Sequence, residues 1–407
     1  MCFQTHLQRP LGILIICNHS GVRLQIDIIY YRLIKYIHIV SHFATIMSMP
    51  RDFTVNGVGL LGISVERQNR TVEPMQENSL EFTGLAFSIH AGLSLLEKPQ
   101  GREALYRLGA TLVREWRRSQ TFVFRGDVNR MAEYVNEFLR ALRADFPRVI
   151  VGNVGGPEVV AEARRMPGGG WDGNLSLFLP KRAGGIFFNQ TRVAEMANAS
   201  RLGGHRSSRE RKMAARHRSY LFMFAVATLH ELTHLFVAYL AQGSDELDSY
   251  TPPTVSYLNY VGLTDTQTNR PLTGESGRWI EGYLFGGSIE FYRDVSDDNG
   301  QTGIPHVLDA QALARKIHPD CILELVTRLP GFNRFPFTTT GSALTLSERQ
   351  SRGLLSLSST QAGTQQPGTF MRARRERPVP LYNVSLNDLN RVPLEPGFIL
   401  RPRLAAY

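Results

Sequence analysis

Between residues 80 and 146 apolar side chains recur at helical intervals, most regularly at Met131, Tyr134, Val135, Phe138, Leu139 and Leu142, which fall on one helical face. Asp127 is placed to cap that helix. Leu85 to Leu96 and Arg102 to Trp116 read as two earlier ones, so this part of the chain predicts a helical layer. The pattern then shortens. Val149-Ile150-Val151 reads as a strand and Gly152 to Gly170, with Pro157 and Pro167, as a loop. Leu175 to Leu179 and Gly185 to Asn189 have the β-prone, turn-bounded character of two paired strands.

A different pattern starts at Tyr220. As far as Gly243 the chain is apolar on almost every side, the mark of a helix buried in a core, with Ser219 as its expected cap and Gly243 as its stop. Residues 201–218 before it read as an exposed loop or a charged lead-in. After it come the acidic Asp245, Glu246 and Asp248 and the rigid Thr251-Pro252-Pro253-Thr254. A helix then opens near Gly274-Glu275-Ser276-Gly277 and turns at Leu284-Phe285-Gly286-Gly287. Val307 to Leu329 predicts two more helices, broken at His318-Pro319.

These elements predict one α+β domain over residues 51–340. It has a mainly helical part at 80–146, a small sheet with the buried helix at 149–300, and C-terminal helices at 301–340. Residues 1–50 read as an extension outside the fold. Their apolar stretches are broken by Asn18, His19, Arg32 and Lys35, so neither is a clean membrane span, and no small-residue cleavage site marks a signal peptide. Residues 341–378, rich in Ser, Thr, Gln and Arg, read as a disordered linker. Residues 379–407, with Leu386, Leu389, Val392 and Phe398, read as a segment that docks back on the domain.

With 407 residues and 43% hydrophobic content the chain can bury one sizeable core. The net charge of +10 suggests an anionic partner until it is located. Residues 201–218 hold seven Lys/Arg against one Glu, and residues 341–407 hold nine against four acids. Residues 219–300 hold three Arg against eleven Asp/Glu. The basic excess is therefore peripheral, and no aromatic residue before Tyr220 accompanies the first basic run, so no specific nucleic acid is expected. Cys2, Cys17 and Cys321 cannot build a disulfide framework, which fits a reducing, cytoplasmic compartment.

The acidic region surrounds the chemistry. Leu229-His230-Glu231-Leu232-Thr233-His234 reads H-E-x-x-H, and four residues is slightly more than one helical turn, so His230 and His234 share a face and can grip one metal ion. Zinc is the default, held by three protein ligands with one position left for water. Glu231 is offset around the helix from His230, where a carboxylate can take that water's proton. Burying His and Glu in an apolar helix without a partner or a metal would cost several kcal/mol. Glu275, Glu281 and Glu290 compete for the third ligand position, and spacing alone does not choose among them. Arg278, Tyr283 and Tyr292 are available as donors to an oxyanion.

The order of strands, insertion, H-E-x-x-H helix and later glutamate-bearing helix resembles the zincin metallopeptidases, and more narrowly the gluzincin branch. There a glutamate opening a later helix completes the zinc site, followed by Gly, an aromatic and a second glutamate. Glu275-Ser276-Gly277-Arg278-Trp279-Ile280-Glu281 is similar, with Ser276 intervening; Glu290 to Asp294 has the spacing of another gluzincin form, E-x-x-x-D. The stretch also looks like that of fungal proteins pairing H-E-x-x-H with a later E-x-G, a Glu and F-G-G. The resemblance implies a zinc-dependent hydrolase of peptide or protein substrates, with His230, His234 and Glu275 on the metal and Glu231 as general base. The competing expectation is a degenerate zincin-like domain that serves as a binding or structural module.

Overall fold

The computed structural model describes residues 61–356 apart from 68, 70, 155–158, 166–170, 245–250, 258–273, 295 and 299, all within the compact unit Met49–Tyr407. The expected N-terminal extension, the docking segment at 379–407 and residues 357–378 of the expected linker lie outside the described residues. The architecture is α+β, with helices packed on two five-stranded sheets.

The first sheet is built from β1 (Ile63–Glu66), β2 (Val72–Pro74), β3 (Arg148–Gly152), β4 (Ala161–Arg165) and β5 (Gly184–Asn189), in the order β2-β1-β3-β5-β4. β1, β3 and β5 run parallel, while β2 and β4 lie antiparallel at the edges. Parallel neighbours need a crossover. Between β1 and β3 it consists of α1 (Leu80–Glu97), α2 (Pro99–Ser119) and α3 (Met131–Ala144). Ser79 caps α1 by accepting the Phe82 N–H, and all six periodic residues of α3 are buried. A short turn of helix, α4 (Pro180–Ala183), leads into β5, and α5 (Gln190–Leu202), capped by Asn189, leaves it.

The core is arranged around α6 (Ser208–Leu240), in which every residue from Tyr220 to Leu240 is buried. It is the one helix among the described residues long and apolar enough to cross a membrane, and its most apolar stretch is wholly buried inside the fold. It runs close along α1, where a Cβ on Gly92 would stand 2.5 Å from the Ala225 carbonyl oxygen. The second sheet comprises β6 (Ser288–Arg293), β7 (Ile304–Leu308), β8 (Ala314–Ile317), β9 (Thr339–Leu344) and β10 (Leu355–Ser356), in the order β10-β6-β7-β8-β9 and antiparallel throughout. α7 (Ser276–Phe285), α8 (Pro319–Thr327) and α9 (Leu346–Ser351) accompany it.

Several local expectations are corrected. Residues 161–165, expected in a loop, form β4, whose Ala-Glu-Ala-Arg-Arg sequence has little β propensity and is held by pairing with β5. Leu175 to Leu179 is no strand: Asn174 accepts the Ser176 N–H and winds Leu175–Leu177 into a 3-10 turn. The first of the two helices expected in Val307 to Leu329 is the β7–β8 hairpin, turned by Asp309, which accepts the N–H groups of Gln311 and Leu313. Residues 341–356 of the expected linker are ordered as the end of β9, α9 and β10, with a capping box at Thr345 and Glu348. Of the two readings of the basic run, the charged lead-in is the one found: residues 208–218 extend α6, and Lys212 and Arg216 meet Asp297 and Asp298 at 2.6–2.8 Å. Ser207, not Ser219, is accordingly the cap.

Candidate metal centre

The buried half of α6 presents His230, Glu231 and His234, and the first residues of α7 arrive opposite them. Glu275 is the residue that caps α7, its Oε2 accepting the Arg278 N–H at 3.1 Å, so its carboxylate sits at the positive end of the helix. Glu275 Oε1 lies 2.8 Å from His234 Nε2, and Glu275 Oε2 lies 3.2 Å from His230 Nε2. One ligand atom from each of His230, His234 and Glu275 falls within 4.8 Å of the other two. Gly277 makes this approach possible, since a Cβ there would overlap the His230 imidazole.

The far nitrogens of both imidazoles are also held. His230 Nδ1–H donates to Glu281 Oε1 at 2.7 Å, and His234 Nδ1–H donates to Ser276 Oγ at 3.1 Å; both assignments leave the Nε2 lone pairs for the shared point. Glu281 is thus behind His230 and not at that point. Its Oε2 accepts the Ile289 N–H at 2.9 Å and Arg278 Nη1 at 3.1 Å. Glu290 stands on β6 and meets Arg278 at 3.2 Å. Of the three competing glutamates, the fold brings Glu275 to the histidine pair.

Glu231 faces the edge of the first sheet. Its Oε2 accepts the Ala163 N–H of β4 at 2.6 Å, whereas its Oε1 is buried with no hydrogen bond. Burial pushes the Glu231 carboxyl up, against the opposing pull of His230 and His234. For Glu275, burial is outweighed by the two imidazoles, which hold it well below the ordinary carboxylate range. Burial also opposes the charge on His230, and the Glu275 and Glu281 carboxylates overcome it and lift that imidazole to about 10. The two carboxylates thus favour positive charge at the point the histidines address, whether a proton on Nε2 or a cation in its place. His230 Nε2 and Glu275 Oε1 are buried polar atoms whose contacts, at 3.2 Å and 2.8 Å, are charge pairs across a common point and lack hydrogen-bond geometry, and a divalent cation there satisfies both together. Two imidazoles and one carboxylate are the donor set of a catalytic zinc site, so the residues present fit that ion.

Sequence reasoning missed the Ala163 amide, because the group is backbone and its strand read as loop. Ser276 was visible only as an interruption of a motif. The three residues offered as oxyanion donors are engaged otherwise. Arg278 is completely buried against Glu281, Glu290 and the Ile289 carbonyl, Tyr283 stacks on Trp279 at 5.8 Å, and Tyr292 packs against His306 at 5.0 Å. No protein-family model, curated protein or solved structure matches the chain.

Proposed function

We propose that this chain is a zinc-dependent peptide-bond hydrolase of the zincin type, in the gluzincin manner, with His230, His234 and Glu275 as metal ligands and Glu231 as general base. The observation that carries the reading is the convergence of those three ligand atoms in a buried place beside a carboxylate that keeps one oxygen bare. Bound zinc would supply Lewis acidity, bringing a water's pKa toward ~7 and polarising a carbonyl. Glu231 Oε1 accepts a proton from the attacking water and returns it to the leaving nitrogen as the C–N bond breaks. Its raised proton affinity suits both transfers. Ala163 fixes Oε2, so Oε1 is the oxygen that moves protons.

Metal analysis of the purified chain should give about one zinc, lost in His230→Ala and His234→Ala because two ligands remain. Glu231→Gln should keep the metal and lower hydrolysis of an unfolded protein substrate by about 100-fold or more. Metal content that is the same in wild type and both histidine variants would overturn the reading. A folded chain with zinc but no hydrolysis of any peptide library would leave the degenerate, structural alternative.

A further inference from the structure

We propose that Arg278 is a positioning residue of the metal centre, acting through Glu281 on the orientation of His230; this rests on the zinc reading above. The guanidinium is wholly buried, and its Nη1 lies 3.1 Å from Glu281 Oε2, 3.1 Å from the Ile289 carbonyl oxygen and 3.2 Å from Glu290 Oε1. Glu281 is likewise wholly buried. Its Oε2 is held by Arg278 and by the Ile289 N–H, while its Oε1 takes the Nδ1–H of His230 at 2.7 Å.

Each group in this chain has one task. Glu290 on β6 balances the guanidinium, which therefore stays fixed in a dry interior. Arg278 and the Ile289 amide grip one oxygen of Glu281 from two directions, which leaves its other oxygen with a single orientation, toward His230. A carboxylate fixed behind an imidazole sets its ring plane and keeps the Nδ1 proton in place, so that Nε2 addresses the point shared with His234 and Glu275. Without Arg278 the Glu281 side chain keeps only one donor on Oε2 and no buried positive partner on α7. The ring it aims is then less restrained. The Arg278 N–H that meets Glu275 is backbone and survives substitution, so the influence of the side chain is the one that passes through Glu281.

The test measures zinc affinity by chelator competition in the full chain, with Glu290→Gln present throughout so that deleting Arg278 strands no buried carboxylate at that position. In this background Arg278→Met should weaken zinc about tenfold or more, within the range for partners of metal-bound histidines. When Glu281→Gln is also present, the same Arg278→Met change should weaken zinc no further. The visible spectrum of the cobalt-substituted chain supplies a second readout, and it should move with Arg278→Met only while Glu281 is intact. Arg278→Lys, which keeps the charge and loses the fork, guards against misfolding and should fall between wild type and Met. Equal weakening with and without Glu281→Gln, or no weakening at all, would overturn the positioning role while leaving the zinc reading intact. Absence of zinc from the wild-type chain would instead remove the reading on which it rests.

Discussion

The two sheets approach the site from different strands and with the same kind of group. β4, at the edge of the first sheet, sends the Ala163 N–H to Glu231; β6, enclosed between β10 and β7 in the second, sends the Ile289 N–H to Glu281. Both carboxylates are buried and each takes one backbone amide. They differ in the second oxygen. Glu281 spends it on His230 and has nothing left to offer, whereas Glu231 keeps Oε1 bare. Two buried glutamates thus differ in what surrounds each, one holding an imidazole and the other, the base of the proposed reaction, keeping an oxygen free of hydrogen bonds. The bare oxygen belongs to the carboxylate that takes its amide from an edge strand, and the saturated one to the carboxylate that takes its amide from an interior strand.

The strongest way to break this comparison is to disturb the place where both sides meet. Gly277→Ala puts a methyl into the His230 ring, so zinc affinity should drop by about 100-fold, read by chelator competition. An unchanged affinity would mean that the ring is not held against α7. Ala163→Pro is the sharper probe of the first sheet. The proline Cδ takes the place of the N–H that meets Glu231 Oε2 at 2.6 Å, so the carboxylate is pushed off that position, and kcat should fall about tenfold or more while zinc is retained. Loss of metal instead would show that β4 supports the ligands as well as the base.

The smallest effects concern acid stability and compare α6 with the second sheet. Burial holds His217 on α6 and His306 on β7 down to about 4 from the ordinary 6.5. An unfolded chain takes up these protons near pH 6.5 and the folded one only near 4, so their contribution is complete above 6.5 and is lost as pH falls from 6.5 toward 4. Each should cost roughly 1–2 kcal/mol of stability between pH 7 and 5. Urea unfolding at the two pH values should show a shallower decline for His217→Gln and for His306→Gln than for wild type. A decline unaltered by either change would show that neither imidazole is held neutral in the fold.

The helical face of α3, the buried run of α6 and the H-E-x-x-H spacing were legible in the sequence because each is a periodic arrangement of side chains within one element. Glu275 came only from the resemblance, because the spacing left Glu281 and Glu290 open beside it. The class α+β followed from the alternation of elements. Errors came where local pattern and pairing disagree. β4 has the composition of a loop and is a strand only because β5 supplies its hydrogen bonds, and the β7–β8 hairpin has apolar spacing that a helix would also satisfy.

The sequence alone therefore determined which residue types could hold a metal and accept a proton, since these depend on chemistry and on intervals of a few residues along one helix. Tertiary structure decided which of Glu275, Glu281 and Glu290 meets the histidines, that Ala163 fixes one oxygen of Glu231, and that Arg278 stands behind Glu281. The first two join residues far apart in the chain, one of them through a backbone amide that every residue but proline carries, and the third is fixed by the Ile289 and Glu290 groups that β6 brings to it. No local pattern encodes such a contact, because its energy comes from packing and burial that exist only once the two sheets have closed on α6 and α7.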